Sequence, residues 1–138
     1  MRVTQVDMSE SNKQTPSSVP RLVNVEGLAT ALAAFAQERH WEQFHSPKNL
    51  VMALAGEVGE LSELFQWITE DASKRVAADP ITAQAVRDEL ADVLLYLVRL
   101  ADVLGVDLNA AAVHKLATNA AKYPVSKARG TSRKYTEF

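Results

Sequence analysis

A chain of 138 residues, 47% hydrophobic and 23% charged, is long enough for one domain with its own core, and a net charge of −2 supplies no basic field to recruit a nucleic-acid polymer. There is no cysteine, which excludes disulfides, thiolate metal sites and cysteine nucleophiles together and suits a reducing cytoplasm, the expected location. No run approaches about 18 uninterrupted apolar residues, so no membrane span is expected.

Residues 1–20 are polar, lack the apolar core of a secretory signal and are expected to form a flexible tail. A first helix is expected from about Asn24, a good cap, to about His40, with Leu28, Leu32 and Phe35 at helical spacing. His40 to His45 reads as a connection rich in rings. Ser46-Pro47, a cap residue followed by proline at the first helical position, opens a second helix expected to reach about Glu70. Gly56 and Gly59 inside it each cost roughly 1 kcal/mol relative to alanine and suggest close approach of another backbone.

Residues 71–80 read as a loop. Asp79-Pro80 repeats the cap-plus-proline signal and opens a third helix, to about Leu104, whose apolar face includes Leu90, Val93, Leu94, Leu97, Val98 and Ala101. Gly105 ends it, Asp107 caps a fourth helix over Leu108–Lys122, and Tyr123-Pro124 stops that one. The expected organisation is a tail over 1–20, a helical domain over 21–124 and a basic tail over 125–138. Alanine and leucine dominate and strand-like alternation is scarce, so the fold class is all-α, an antiparallel four-helix bundle. Whether the bundle closes within one chain stays open at this point.

The second helix carries an anomaly. At about 100° per residue, Leu50, Leu54, Leu61, Phe65 and Ile68 form one apolar stripe, and Glu57 falls inside it. Glu60 lies about one row away. A carboxylate facing a core loses its hydration and needs a cationic partner. Glu89 and Asp92 make a second i, i+3 pair on the third helix, lined up with Tyr96 and Arg99 beside the apolar face; they form either a solvated edge or the other half of a site. Carboxylates converging from two helices hold a hard cation, and the absence of histidine from both helices disfavours zinc and dinuclear iron. The expectation is Mg²⁺, with Mn²⁺ as a possible substitute, and a phosphorylated substrate.

Lys115 and Lys122, about two turns apart on one face of the fourth helix, and Lys127, Arg129, Arg133 and Lys134 beyond it either bind phosphate or keep the chain soluble. Trp41, Phe44, His45, Trp67 and Tyr96 either stack on a base or pack as core.

Glu57-Val-Gly-Glu60 followed by Glu89-x-x-Asp92 resembles the Glu-x-x-Glu…Glu-x-x-Asp pattern of the MazG-like all-α nucleoside triphosphate pyrophosphatases. Trp41-Glu-Gln-Phe-His45, Gly56-Glu-Val-Gly-Glu-Leu through Trp67, Asp92-Val-Leu to Tyr96-Leu-Val, Asn119 with Lys122-Tyr-Pro124, and Ser132-Arg-Lys-Tyr-Thr-Glu137 look like the dCTP pyrophosphatase branch, over about residues 25–138. The resemblance implies Mg²⁺-dependent hydrolysis of a pyrimidine (deoxy)nucleoside triphosphate to monophosphate and pyrophosphate, as nucleotide-pool house-cleaning. It implies metal ligands at Glu57, Glu60, Glu89 and Asp92. Glu57 and Glu60 are also expected to be catalytic, and on mechanistic grounds a carboxylate not fully used on metal, Glu60 first, is expected to accept the proton of the attacking water.

By the same resemblance, Lys115, Asn119, Lys122 and Tyr96 contact phosphates or sugar, Trp41 and Trp67 line the base pocket, and His45 stands nearby. The resemblance further implies a bundle completed by homo-oligomerisation, a tetramer built as a dimer of dimers, with sites shared between chains. Leu32 departs from the histidine expected there in dCTP-specific relatives, which leaves base choice open. The alternatives are another nucleotide, such as dUTP, a non-standard purine triphosphate or phosphoribosyl-ATP, or a non-catalytic nucleotide-binding oligomer.

Overall fold

The computed structural model describes residues 19–138, so residues 1–18 of the expected tail lie outside the described residues. Four long helices carry the fold: α1 (Glu26–Glu38), α2 (Pro47–Glu63), α4 (Ala83–Leu104) and α5 (Leu108–Lys122), with one-turn helices α3 (Glu70–Ser73) and α6 (Val125–Ala128) between and after them. No strand occurs among the described residues, and the fold class is all-α. No described helix is long and apolar enough to cross a membrane.

Local chemistry sets most boundaries. Ser46 accepts a hydrogen bond from the Asn49 N–H with Pro47 at the first helical position, and Asp107 accepts from the Ala110 N–H, so α2 and α5 begin where a cap residue satisfies an orphan donor. Gly105, at φ 66°, closes α4 with the Val106 N–H on the Ala101 carbonyl and the Gly105 N–H on the Asp102 carbonyl. α1 ends in the same bonding pattern without a glycine. His40 takes φ 54°, the Trp41 N–H reaches the Ala36 carbonyl, and the His40 N–H reaches the Gln37 carbonyl. This turn throws Trp41 back against Phe35, edge to face at 5.7 Å.

Two boundaries differ from expectation. α2 stops at Glu63, not near Glu70, because i→i+3 bonds tighten its end and the Ser62 hydroxyl donates to the Val58 carbonyl. Thr69 then caps the separate turn α3 by accepting from the Ala72 N–H, inside the stretch expected to run from helix into loop. Asp79 accepts from the Ile81 N–H in a turn, so α4 proper begins at Ala83.

α4 is the central helix and packs against both α2 and α1. Arg99, late in α4, meets His45 just before α2, whereas Glu89, early in α4, meets Glu60 late in α2; the two helices are therefore antiparallel. The buried core is small: Ala36, Leu50, Val76, Ala83, Val86, Val98 and Ala101. No residue of α5 is buried. Its first turn is tied to the segment before α1 by Asn109, whose Oδ1 accepts from the Leu22 and Val23 N–H groups at 2.7 and 2.9 Å and whose Nδ2 donates to the Pro20 carbonyl at 3.0 Å. Gly56 and Gly59 meet nothing within 4 Å where a Cβ would stand, so no backbone among the described residues approaches them. They face outward on α2.

Candidate metal centre and base pocket

Antiparallel packing of α2 on α4 brings the two acidic pairs together. Glu57, Glu60 and Glu89 each offer a carboxylate oxygen within 4.8 Å of the others. Asp92, one turn along α4 from Glu89, stands outside that trio but near enough for its charge to act on Glu57 and Glu89. Burial, followed by the charges of Glu60 and Asp92, pushes the Glu57 carboxyl above its ordinary range. Glu89 is raised in the same direction, first by burial and then by Glu60, Glu57 and Asp92.

Glu89 and Glu60 can share a hydrogen bond only when one of them holds a proton. The buried Oε2 of Glu89 has no hydrogen-bond partner among the described residues. A buried, unpartnered carboxylate oxygen among mutually repelling carboxylates is what a cation satisfies. The oxygen-only donor set suits a hard divalent ion. The residues therefore fit a metal, and the solvated-edge reading of Glu89 does not match its buried oxygen.

One turn beyond Asp92 on α4, Tyr96 enters a cavity of about 130 Å³ with Leu32 and Phe35 of α1, Trp41 and His45 of the connection, and Leu95 and Arg99 of α4. Trp41 and His45 stand edge to face at 6.4 Å. Arg99 is a pocket residue that the sequence reading left on a helix edge. Its Nε donates to His45 Nδ1 at 3.2 Å and its Nη1 to Asp102 at 3.3 Å. Its spacing from Tyr96, i and i+3, was the available signal. Burial, then the Arg99 cation, holds the His45 imidazole below its ordinary pKa range.

The other expected residues are not gathered here within one chain. Trp67 is 87% exposed past the end of α2. Lys115, Asn119 and Lys122 are exposed on α5. Lys122 lies 5.0 Å over the Tyr135 ring, and Tyr135 and Phe138 pack edge to face on Tyr123, folding the C-terminal segment onto the end of α5.

A larger groove of about 520 Å³ opens between residues 19–29, the end of α4 and the start of α5, away from the carboxylates. Its polar groups are occupied: Arg21 pairs with Glu26 and Asn24, Asp102 with Arg99, and Asp107 and Asn109 with backbone. The smaller cavity beside the carboxylates is the better candidate for chemistry.

Comparison with known proteins points the same way. Residues 53–138 match the model of the MazG-like family. The chain is 50% identical over 114 residues to dCTP pyrophosphatase 1 of Homo sapiens, covering 83% of this chain and 67% of that protein. Against dCTP pyrophosphatase 1 of Bos taurus it is 48% identical over 122 residues, covering 88% and 70%. A crystal structure of a pyrophosphatase from Archaeoglobus fulgidus superposes with a TM-score of 0.68 at 38% identity, covering 72% of this chain and 92% of that one.

Proposed function

Since this chain belongs to the MazG-like family, we infer that it is a nucleoside triphosphate pyrophosphohydrolase acting on dCTP and related pyrimidine triphosphates, releasing the monophosphate and pyrophosphate in nucleotide-pool house-cleaning. The observation that carries the reading is the acidic trio with its unpartnered Glu89 oxygen, in a chain half identical to proteins named for this reaction.

Glu57, Glu60 and Glu89, with Asp92, would hold Mg²⁺, or Mn²⁺ in its place. Bound there, the ion supplies neutralisation of triphosphate charge and a water of lowered pKa. Water oxygen forms a bond to the α-phosphorus as the bridging bond to the β-phosphate breaks and pyrophosphate leaves. Glu60, exposed at the rim of the trio, takes the water's proton. Tyr96, one turn from Asp92, contacts the sugar. Trp41 and His45 wall the pocket that takes the base, and apolar Leu32 is part of the same lining.

Lys115, Asn119 and Lys122 lie on a helix that does not reach these carboxylates in its own chain, so we assign them to the phosphates of a neighbouring copy's substrate. Trp67 closes a base pocket in the same manner. The active form is then a homo-oligomer, a dimer of dimers.

The test is incubation with Mg²⁺ and a panel of triphosphates, resolving pyrophosphate from orthophosphate. dCTP should yield pyrophosphate; hydrolysis of no triphosphate defeats the enzyme reading, and orthophosphate as the product defeats the mechanism. Glu57→Gln should lower turnover about 10²–10³-fold or more, the loss of several kcal/mol of charge stabilisation. Retained activity would overturn the metal assignment.

A further inference from the structure

The base pocket contains a clamp that its apolar composition conceals. Arg99 rises from α4 with a side chain only 11% exposed, and it is held at two points: Nη1 on Asp102 at 3.3 Å and Nε on His45 Nδ1 at 3.2 Å. A guanidinium has donors only. The nitrogen of His45 facing it must therefore present a lone pair, and the single proton of the neutral ring must sit on Nε2. A protonated His45 would place N–H against N–H and cation against cation. The burial and charge that hold His45 below its ordinary pKa range act in the same sense.

We propose that Arg99 is the positioning residue for base selection: it locks His45 as an Nε2–H donor, which pairs with the N3 acceptor of cytosine and would oppose the N3–H of uracil and thymine. The cavity wall is mostly apolar, and the lining residues that carry polar side-chain atoms are Trp41, His45, Tyr96 and Arg99, the last already engaged by His45 and Asp102. Only the Tyr96 hydroxyl can also accept. Cytosine presents N3 and O2 as adjacent acceptors beside its N4–H₂ donor, so a single donor fixed at N3 is matched. Uracil and thymine present N3–H between two carbonyls, and that hydrogen would face another donor. Leaving such a group unpaired in a pocket discriminates more strongly than shape does.

At about 130 Å³ the cavity lies below the roughly 300–1,000 Å³ typical of sites that enclose a whole ligand, so it suits one ring and not a complete nucleotide. Position 32 is leucine and contributes no polar atom, so selection here falls to α4 and the connection before α2. The inference rests on the reading above of a pyrophosphohydrolase for pyrimidine triphosphates.

Two measurements test it. In the wild-type protein, ¹⁵N NMR of the imidazoles, with His45 assigned by loss of its signals in His45→Gln, should find Nδ1 bare and Nε2 protonated at neutral pH. A proton on Nδ1 overturns the clamp and requires no activity to do so. In the assay, Arg99→Met should reduce the dCTP-over-dUTP ratio of kcat/KM about tenfold, the worth of one oriented hydrogen bond, with the loss mainly in KM. Arg99→Lys, which keeps a donor cation, should restore part of the lost discrimination.

An unchanged ratio in Arg99→Met, or identical behaviour of the Lys and Met variants, overturns the assignment. Wild-type protein inert toward every triphosphate defeats the functional reading instead, while the tautomer measurement still judges the clamp.

Discussion

At the scale of single residues, the carboxylates at the α2–α4 crossing carry opposite consequences for stability and activity. Burial and mutual repulsion raise Glu57 and Glu89 above the ordinary glutamate range. A group whose pKa is raised by folding contributes stability that is full below its unfolded value and is lost as pH rises through the folded value. In chelator, the melting temperature of the wild type should therefore fall relative to Glu89→Gln between about pH 5 and about pH 8. Mg²⁺ should restore it at the upper pH and have less effect at the lower. Thermal scans of both proteins with EDTA and with Mg²⁺ provide the check. A Glu89→Gln protein less stable than wild type in EDTA at the upper pH would mean that the trio is not strained by its charges.

The residue scale also separates legible features from hidden ones. Glu57 was visible because a carboxylate interrupted a leucine stripe, and its partners were visible as a second i, i+3 pair. Arg99 was only half visible: its i, i+3 spacing from Tyr96 placed it on the right edge of α4, but its partner His45 is 54 positions away and no local pattern joins the two.

At the scale of elements, two helix ends share one hydrogen-bond pattern and differ in the residue that bears the left-handed backbone: glycine at Gly105, histidine at His40. A side chain in that conformation is strained by roughly 1–2 kcal/mol, partly offset by the entropy that glycine loses on folding. His40→Gly should stabilise the protein by about 1 kcal/mol, or about 3–5 °C in Tm. A drop in Tm would show that the His40 side chain contributes more than its backbone costs.

Ends marked by Ser46-Pro47, Gly105 and Asp107 were readable because the responsible atoms sit within three residues of the boundary. The end of α2 was not. Leu64, Phe65 and Ile68 continue the helical apolar spacing, and the break comes from i→i+3 tightening and the competing cap at Thr69. The outward placement of Gly56 and Gly59 was equally hidden, since spacing identifies a face but not what covers it.

At the scale of the whole molecule, the small core and the uncovered apolar surface require each other. Leu90, Leu94, Leu97 and Leu104 recur at helical spacing on α4, each roughly half exposed, and Met52 and Val58 extend uncovered apolar surface on α2 beside the two glycines. On α5, Leu116 is 60% exposed on a helix without a buried residue. Apolar side chains exposed at this spacing are the face that the proposed dimer of dimers would cover. The role proposed for Lys115, Asn119 and Lys122 requires that a second copy covering this face also carry its α5 to the carboxylates.

Leu97→Glu places a charge in that stripe while leaving the buried positions Val98 and Ala101 untouched. It should shift the protein from oligomer to monomer in sedimentation velocity and retain its helical circular dichroism. Its dCTP turnover should fall about 10²-fold or more, because the phosphates would lose their cationic contacts along with the partner. An oligomer that persists in Leu97→Glu would remove α4 from the interface. A monomer with full turnover would show instead that one chain binds the triphosphate unaided, and Lys115, Asn119 and Lys122 would lose their assigned role.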